Sequence, residues 1–332
     1  MSIPVQDYAL LSKHVYGDMD AMPPLSKGSE FKSPSGATYK VVEVSNKSSD
    51  LGYQGAIYQN KATGELVVAH RGTEPKLSSP EVIKDGVIAD GAMVFEAVNP
   101  QAQAAMRFMD RAKELSQLPA YRWHNGSPDV NGDTPEITVT GHSLGGTLAQ
   151  ITAERYALGG ETFNAYGAIG LSGIREGRSA HGMINHMRAT DFVSAGNGHY
   201  GEVRVYANAE DIAALQSAGV STAQQGTAGF VYDVANNVGA HAMGQSFWPP
   251  TNSVISEENR QRYRDNAALV DAFRDDVRTS REVITFGSQI NQAVQGDVGA
   301  IKHLTSTPLP SVPDHVQRSV INNAIEPAEA RL

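Results

Sequence analysis

The chain contains no cysteine, so disulfides, thiolate nucleophiles and cysteine-ligated metals are excluded. It also lacks a surplus of positive charge: 27 Lys and Arg stand against 36 Asp and Glu, a net charge of −9, with a sequence pI near 5.6. That balance argues against a nucleic-acid footprint and against simple electrostatic attraction to anionic membranes. It does not exclude lipid as a substrate, because a local apolar mouth can dock on a bilayer. No apolar run approaches the roughly 18 residues of a membrane span. Met1 to Leu11 has no basic segment followed by an apolar one, so no cleavable signal is expected. The expected location is the cytoplasm, or outside the cell by a signal-independent secretion system. There is no internal repeat. Asp129-Val130-Asn131-Gly132-Asp133 begins like a calcium loop. Thr134 stands where the glycine is required and Thr140 where the bidentate Glu should be, so it reads as a surface loop and no metal is expected.

What the chain does have is enough apolar sequence for a globular protein. Its 332 residues, 40% hydrophobic and 19% charged, can bury one large core or two smaller ones. Asp7 to Tyr16 reads as a short helix, with Tyr8, Leu11 and Val15 at helical spacing. Thr38 to Val44, Gly55 to Gln59 and Leu66 to His70 read as strands, the last two joined by a turn at Lys61-Ala62-Thr63-Gly64. Asn99 and Pro100 read as the start of a helix lined by Ala102, Ala105, Met109 and Ala112. Further strands are expected at Phe163 to Leu171, Met183 to Met187 and Glu202 to Tyr206. Gly219 to Ala240 reads as a long loop. Ser256 caps a charged helix whose stripe is Tyr263, Ala267, Val270, Phe273 and Val277. Strands alternating with helices imply an α/β fold, a mostly parallel sheet flanked by helices.

The most informative stretch runs from Glu136 to Gly146. A β-branched run stops at Gly141-His142-Ser143-Leu144-Gly145 and a small-residue helix pattern follows. This is the sequence form of a nucleophile elbow, a tight strand-to-helix turn presenting a serine. Gly141 and Gly145 stand where strand and helix backbones pass too close for a β-carbon. A serine hydroxyl needs a base to take its proton, and histidine suits the task. An acid must then hold the imidazole in the right tautomer.

The best acid is Asp191, at the end of an expected strand. Asp211 and Asp233 have poorer contexts. Four histidines follow it: His199, His241, His303 and His315. His199 is too close in sequence to loop back and reads as structural. His241, flanked by small residues, is the first choice for the base. His303 is the reserve, and His315 sits in the expected tail. The oxyanion donors are the N–H of Leu144 and, after the strand Val67 to His70, Thr73. Arg71 reads as one half of a structural ion pair in preference to a clamp on substrate charge.

These residues resemble the class 3 lipases. Gly141-His142-Ser143-Leu144-Gly145-Gly146 matches the family's elbow, and Val68-Ala69-His70-Arg71-Gly72-Thr73 its oxyanion strand. Leu10 to Tyr16 resembles its N-terminal helix and Asp85 to Asp90 its acidic turn. Arg188 to Val193 resembles the segment bearing its catalytic aspartate, His199-Tyr200-Gly201 its non-catalytic strand start, and His241 falls where its catalytic histidine belongs. His70 departs from the usual aromatic residue, and the asparagine usual before the aspartate is missing. The likeness spans roughly residues 5 to 250.

The resemblance implies an α/β-hydrolase core over 1–255, with a helical accessory region at 256–305 and a Pro-containing polar tail at 306–332. It implies a serine hydrolase of lipid esters, lipase or phospholipase A, with Ser143, Asp191 and His241 as triad and no cofactor. In outline the chain is also similar to bacterial phospholipase effectors. That likeness implies a lipid or phospholipid substrate at an interface, and an inhibitor (immunity-type) protein as a possible partner. The alternatives are a soluble esterase or thioesterase with the same triad, and a binding module whose elbow is a relic.

Overall fold

The computed structural model describes residues 3–17, 19, 22–45, 52–72, 91–124, 127–175, 181–219 and 238–294, with the backbone alone over 91–100 and 282–294 and at positions 238 and 280. Its frame is one sheet of eight strands whose spatial order follows chain order. The strands are β1 (Glu30–Lys32), β2 (Thr38–Val44), β3 (Gly55–Asn60), β4 (Leu66–His70), β5 (Ile137–His142), β6 (Gly160–Phe163), β7 (Met183–Arg188) and β8 (Glu202–Tyr206). The first four pair antiparallel, with a bulge between Val41 and Glu43. From β4 to β8 every pairing is parallel.

Short loops join β1 to β2 and β3 to β4, and helices carry the crossovers from β4 to β5 and from β5 to β6 that parallel pairing requires. Helix α1 (Val5–His14) precedes the sheet, α2 (Gly91–Gln117) links β4 to β5, and α3 (Leu144–Tyr156) links β5 to β6. The single turn α4 (Phe192–Ala195) lies between β7 and β8. Then come α5 (Ala209–Ser217), the short α6 (Met243–Ser246), α7 (Glu257–Asp265) and α8 (Ala267–Val294).

Strand β4 shows why the central strands read as unbroken apolar runs. All of Leu66 to His70 is buried, and alternate side chains serve opposite faces. Leu66 and Val68 join one core with Val139, Leu148, Met109, Val270 and Phe273. Val67 and Ala69 join the other, with Leu11, Tyr58, Phe163 and Phe247. Among the described residues no helix is long and apolar enough to cross a membrane.

Three sequence expectations are corrected. Pro100 does not start a helix, because α2 runs through it from Gly91. A 27-residue helix tolerates the one hydrogen bond a proline removes when its other face is buried. The strand expected over Phe163 to Leu171 ends at Phe163, where Asn164 takes φ 42°. The apolar residues beyond it pack as a loop under α3, where Thr147 Oγ1 donates to the Tyr166 carbonyl at 2.7 Å. The charged helix capped by Ser256 breaks at Asn266, between α7 and α8. Most of Gly219 to Ala240, the segment Asp85 to Asp90 and the tail from 306 lie outside the described residues.

Helix α8 is tied to this frame by Val270, Phe273 and Val277, all buried in the first core. Truncating Phe273, which is 0% exposed, to alanine is expected to cost about 3–5 kcal/mol of stability. Urea unfolding of the full chain measures it, and an unchanged midpoint would show that α8 is not docked on this core.

Candidate active site

The parallel strands end at one edge of the sheet, and Ser143 and Asp191 follow their C-terminal ends. This is where open α/β sheets place their sites. Ser143 follows β5 with φ 56° and ψ −130°, a backbone conformation that costs a non-glycine residue of order 1–3 kcal/mol. The crowding that enforces it is local. A β-carbon on Gly141 would run into the Gly145 carbonyl group, and one on Gly145 into the His70 carbonyl.

Asp191 follows β7 and caps α4, accepting from Val193 N at 3.3 Å and Ser194 N at 2.9 Å. His241 follows a single 3-10 turn at Val238–Ala240. The structure brings the three side chains together. His241 Nδ1 lies 3.0 Å from Asp191 Oδ1, and His241 Nε2 lies 2.9 Å from Ser143 Oγ. A carboxylate only accepts, so Nδ1–H donates to Asp191, and in the neutral ring Nε2 is free to accept the serine proton.

Asp191 is 0% exposed. Burial alone would raise its pKa. His241 and the bonds from Ser194 outweigh burial and hold it below the usual carboxylate value.

His142 is a structural part of the site. Its Nε2 lies 2.8 Å from the His241 carbonyl, and its Nδ1 lies 3.0 Å from the Tyr16 hydroxyl. The carbonyl can only accept, so Nε2 carries the hydrogen, Nδ1 accepts, and Tyr16 donates. Burial first, then the neighbouring His241, push the His142 pKa down to about 3.

Asn164 also holds the His241 segment. Its Nδ2 donates to the carbonyls of Ala240 at 2.7 Å and His241 at 3.2 Å. The sequence reading missed Asn164 and Tyr16 as supports. The only local signal was an asparagine at a strand end.

Of the oxyanion donors, Leu144 opens α3 directly after Ser143. Thr73 lies outside the described residues. The strand leading to it is in place: a β-carbon on Gly72 would sit 3.3 Å from Ser143 Cβ.

The competitors are engaged elsewhere. Asp211 accepts from Arg188 Nε at 2.9 Å and from the Thr190 hydroxyl at 2.6 Å. His199 Nε2 donates to the Ser194 carbonyl at 2.8 Å. Asp233, His303 and His315 lie outside the described residues. Among the described residues Arg71 makes no ion pair; it donates to Gln54 Oε1 at 2.6 Å and lies 5.3 Å from the centre of the Tyr16 ring. Arg71 leaves β4 beside α1, and a neutral amide and an aromatic face are what it meets there.

Residues 67–165 match the family model described as Lipase (class 3). The match spans β4, β5, the elbow and α3, the stretch that carries the class 3 lipase resemblance in the sequence. Among curated proteins none matches. Solved structures similar to this chain include Lip2 lipase from Yarrowia lipolytica, at 12% identity and TM-score 0.37, covering 59% of this chain and 77% of that one. A triacylglycerol lipase from Penicillium expansum matches at 14% identity and TM-score 0.38, covering 63% and 80%. Rhizomucor miehei lipase in a propeptide complex matches at 14% and 0.37, covering 62% and 70%. The α/β-hydrolase fold itself is stated by the parallel strands, the crossover helices and the elbow.

The buried histidines make stability depend on pH. Burial lowers the pKa of His70 and His142 to about 3 and of His199 to about 4. Below the unfolded value near 6.5, the unfolded chain binds protons that the folded one refuses. Stability is therefore full above about 6.5 and falls as pH drops from there toward 4. Urea midpoints should hold between pH 7.5 and about 6.5 and fall steadily from there to 4.5, and His142→Asn should flatten that fall by about 1 kcal/mol per pH unit. A midpoint independent of pH, or an unchanged slope in the variant, would refute the assignment.

Proposed function

We propose that the protein is a serine hydrolase of carboxylic esters, acting on acyl lipids through Ser143, His241 and Asp191. The observation that carries this reading is a serine in strained elbow geometry, 2.9 Å from an imidazole nitrogen whose other nitrogen faces a buried carboxylate. Ser143 Oγ attacks the ester carbonyl as His241 Nε2 takes its proton. Asp191 holds the ring and stabilises the imidazolium, and the Leu144 N–H receives the developing oxyanion. His241 returns the proton to the departing alcohol. Water then attacks the acyl-enzyme by the same route and releases the fatty acid. No step requires a metal.

The class 3 lipase match supports acyl lipid as the substrate class. Within that class glycerophospholipid is the first choice and triacylglycerol the second, on the outline resemblance to bacterial phospholipase effectors. Mixed phospholipid vesicles should release fatty acid, with activity rising when substrate passes from monomer to interface. Ready cleavage of tributyrin without vesicle hydrolysis would reverse the order of substrates, and activity indifferent to the interface would favour a soluble esterase. A fluorophosphonate probe should label the wild type and not Ser143→Ala. Asp191→Asn should lose about 10⁴ in kcat. A wild type that resists the probe, or an active Ser143→Ala, would defeat the hydrolase reading.

A further inference from the structure

Ser194 is where helix α8 reaches the triad. The turn α4 ends at Ala195, so the Ser194 carbonyl lacks a helical partner of its own. Two side chains donate to it instead: His199 Nε2 at 2.8 Å and Arg274 Nη2 at 2.9 Å. From its other side Ser194 donates its N–H to Asp191 Oδ2 at 2.9 Å. One residue therefore separates the guanidinium of Arg274 from the carboxylate that faces His241. Arg274 also lies 3.4 Å from Ser194 Oγ and 3.0 Å from Met187 Sδ. Among the described residues its hydrogen bonds go to neutral atoms and not to a carboxylate.

A half-buried cation without a bonded anion is costly unless a charge nearby offsets it. Loss of water lowers the Arg274 pKa, and Asp191 is the foremost charge opposing that drop. The ionisable groups facing Arg274 are Asp191 before α4, His199 after it, Tyr263 on α7, and Asp271 and Arg278 on its own helix. Of these, Asp191 is the carboxylate that is fully buried.

We infer that Arg274 is a positioning residue for the triad, capping the turn that holds Asp191 and supplying the positive charge that offsets this buried carboxylate. The inference rests on the hydrolase reading. Arg274 touches none of the reacting atoms, so its loss acts through Asp191 and lowers kcat more than it raises KM.

The test is hydrolysis of p-nitrophenyl butyrate by the full chain across pH, comparing wild type, Arg274→Gln and Arg274→Lys. Glutamine keeps a donor and loses the charge, whereas lysine keeps both. The glutamine variant should lose about tenfold in kcat with little change in KM. The lysine variant should recover kcat. A glutamine variant that superimposes on wild type, or a lysine variant impaired as deeply as glutamine, overturns the inference. If circular dichroism shows the glutamine variant unfolded, the lysine variant decides: a wild-type kcat supports the charge role and a lowered kcat overturns it. Fluorophosphonate labelling separates the two ideas. An unlabelled wild type removes the hydrolase reading and this inference with it, whereas a labelled wild type beside an unaffected glutamine variant removes only the role of Arg274.

Discussion

One backbone carbonyl holds the site together. His241 lies 98 positions after Ser143, and its ring can stay in line with Oγ only if its main chain is fixed. The His241 carbonyl accepts from His142 Nε2 and from Asn164 Nδ2. Each donor is anchored in turn. Tyr16, just after α1, donates to His142, and the N–H of Arg188, at the end of β7, donates to Asn164 Oδ1. Arg188 is itself paired with Asp211. Each of these bonds contributes only about 1 kcal/mol net. Their geometric effect is larger, because a catalytic constellation works only within about 0.5 Å of its productive arrangement. The elbow supplies strain, and the clamp on His241 supplies alignment.

The electrostatics follow from that clamp. Two imidazoles lie side by side, His142 and His241, with ring centres 4.8 Å apart. Were both basic, they would compete for the serine proton. Burial keeps His142 neutral, and its contacts permit a single tautomer. The arrangement therefore holds one acceptor for that proton. Asp191 has the opposite problem, because a carboxylate removed from water must be solvated by the protein. Two N–H groups of α4 and the Nδ1–H of His241 take the place of water around it. Those dipoles are fixed by the fold itself, and polar groups held in place in advance are the kind that can lower a barrier.

Local chemistry explains which parts were legible in the sequence. The elbow was readable because the need for Gly141 is steric and comes from Gly145 within the same turn, whereas Gly145 is crowded by the His70 carbonyl at the end of β4. Strands β2, β4 and β7 were readable because burial on a pleated face leaves an apolar or alternating trace. Asp191 was readable as a strand-end acid; its second task as the cap of α4 uses the same position. What failed was the non-local part. An apolar run after Phe163 carries the same composition whether it pairs as a strand or packs under α3, and only the turn at Asn164 decides. Pro100 signals a helix start locally, yet a buried face beyond it carries the helix through. Gln150 looks like an ordinary helix residue, but its Oε1 accepts from the N–H groups of Ala168 and Tyr200. Tyr16 meets His142 across 126 positions, and no sequence period encodes such a contact.

The stretch that matches the lipase family contains Ser143 and the strand leading toward Thr73, and ends at residue 165. Both partners of the serine lie beyond it. The sheet explains how that division works. Strands β4 and β5 hold Ser143 in one rigid unit, and β7, added in parallel through β6, carries Asp191 to the same edge. His241 has no strand to ride on, so polar side chains must hold it. Helix α8 then closes the arrangement from behind: Phe273 enters the core and the next residue, Arg274, meets the turn that bears Asp191. Burying Phe273 is thus what delivers a charge to the turn behind Asp191, and packing and electrostatics at that point are one event.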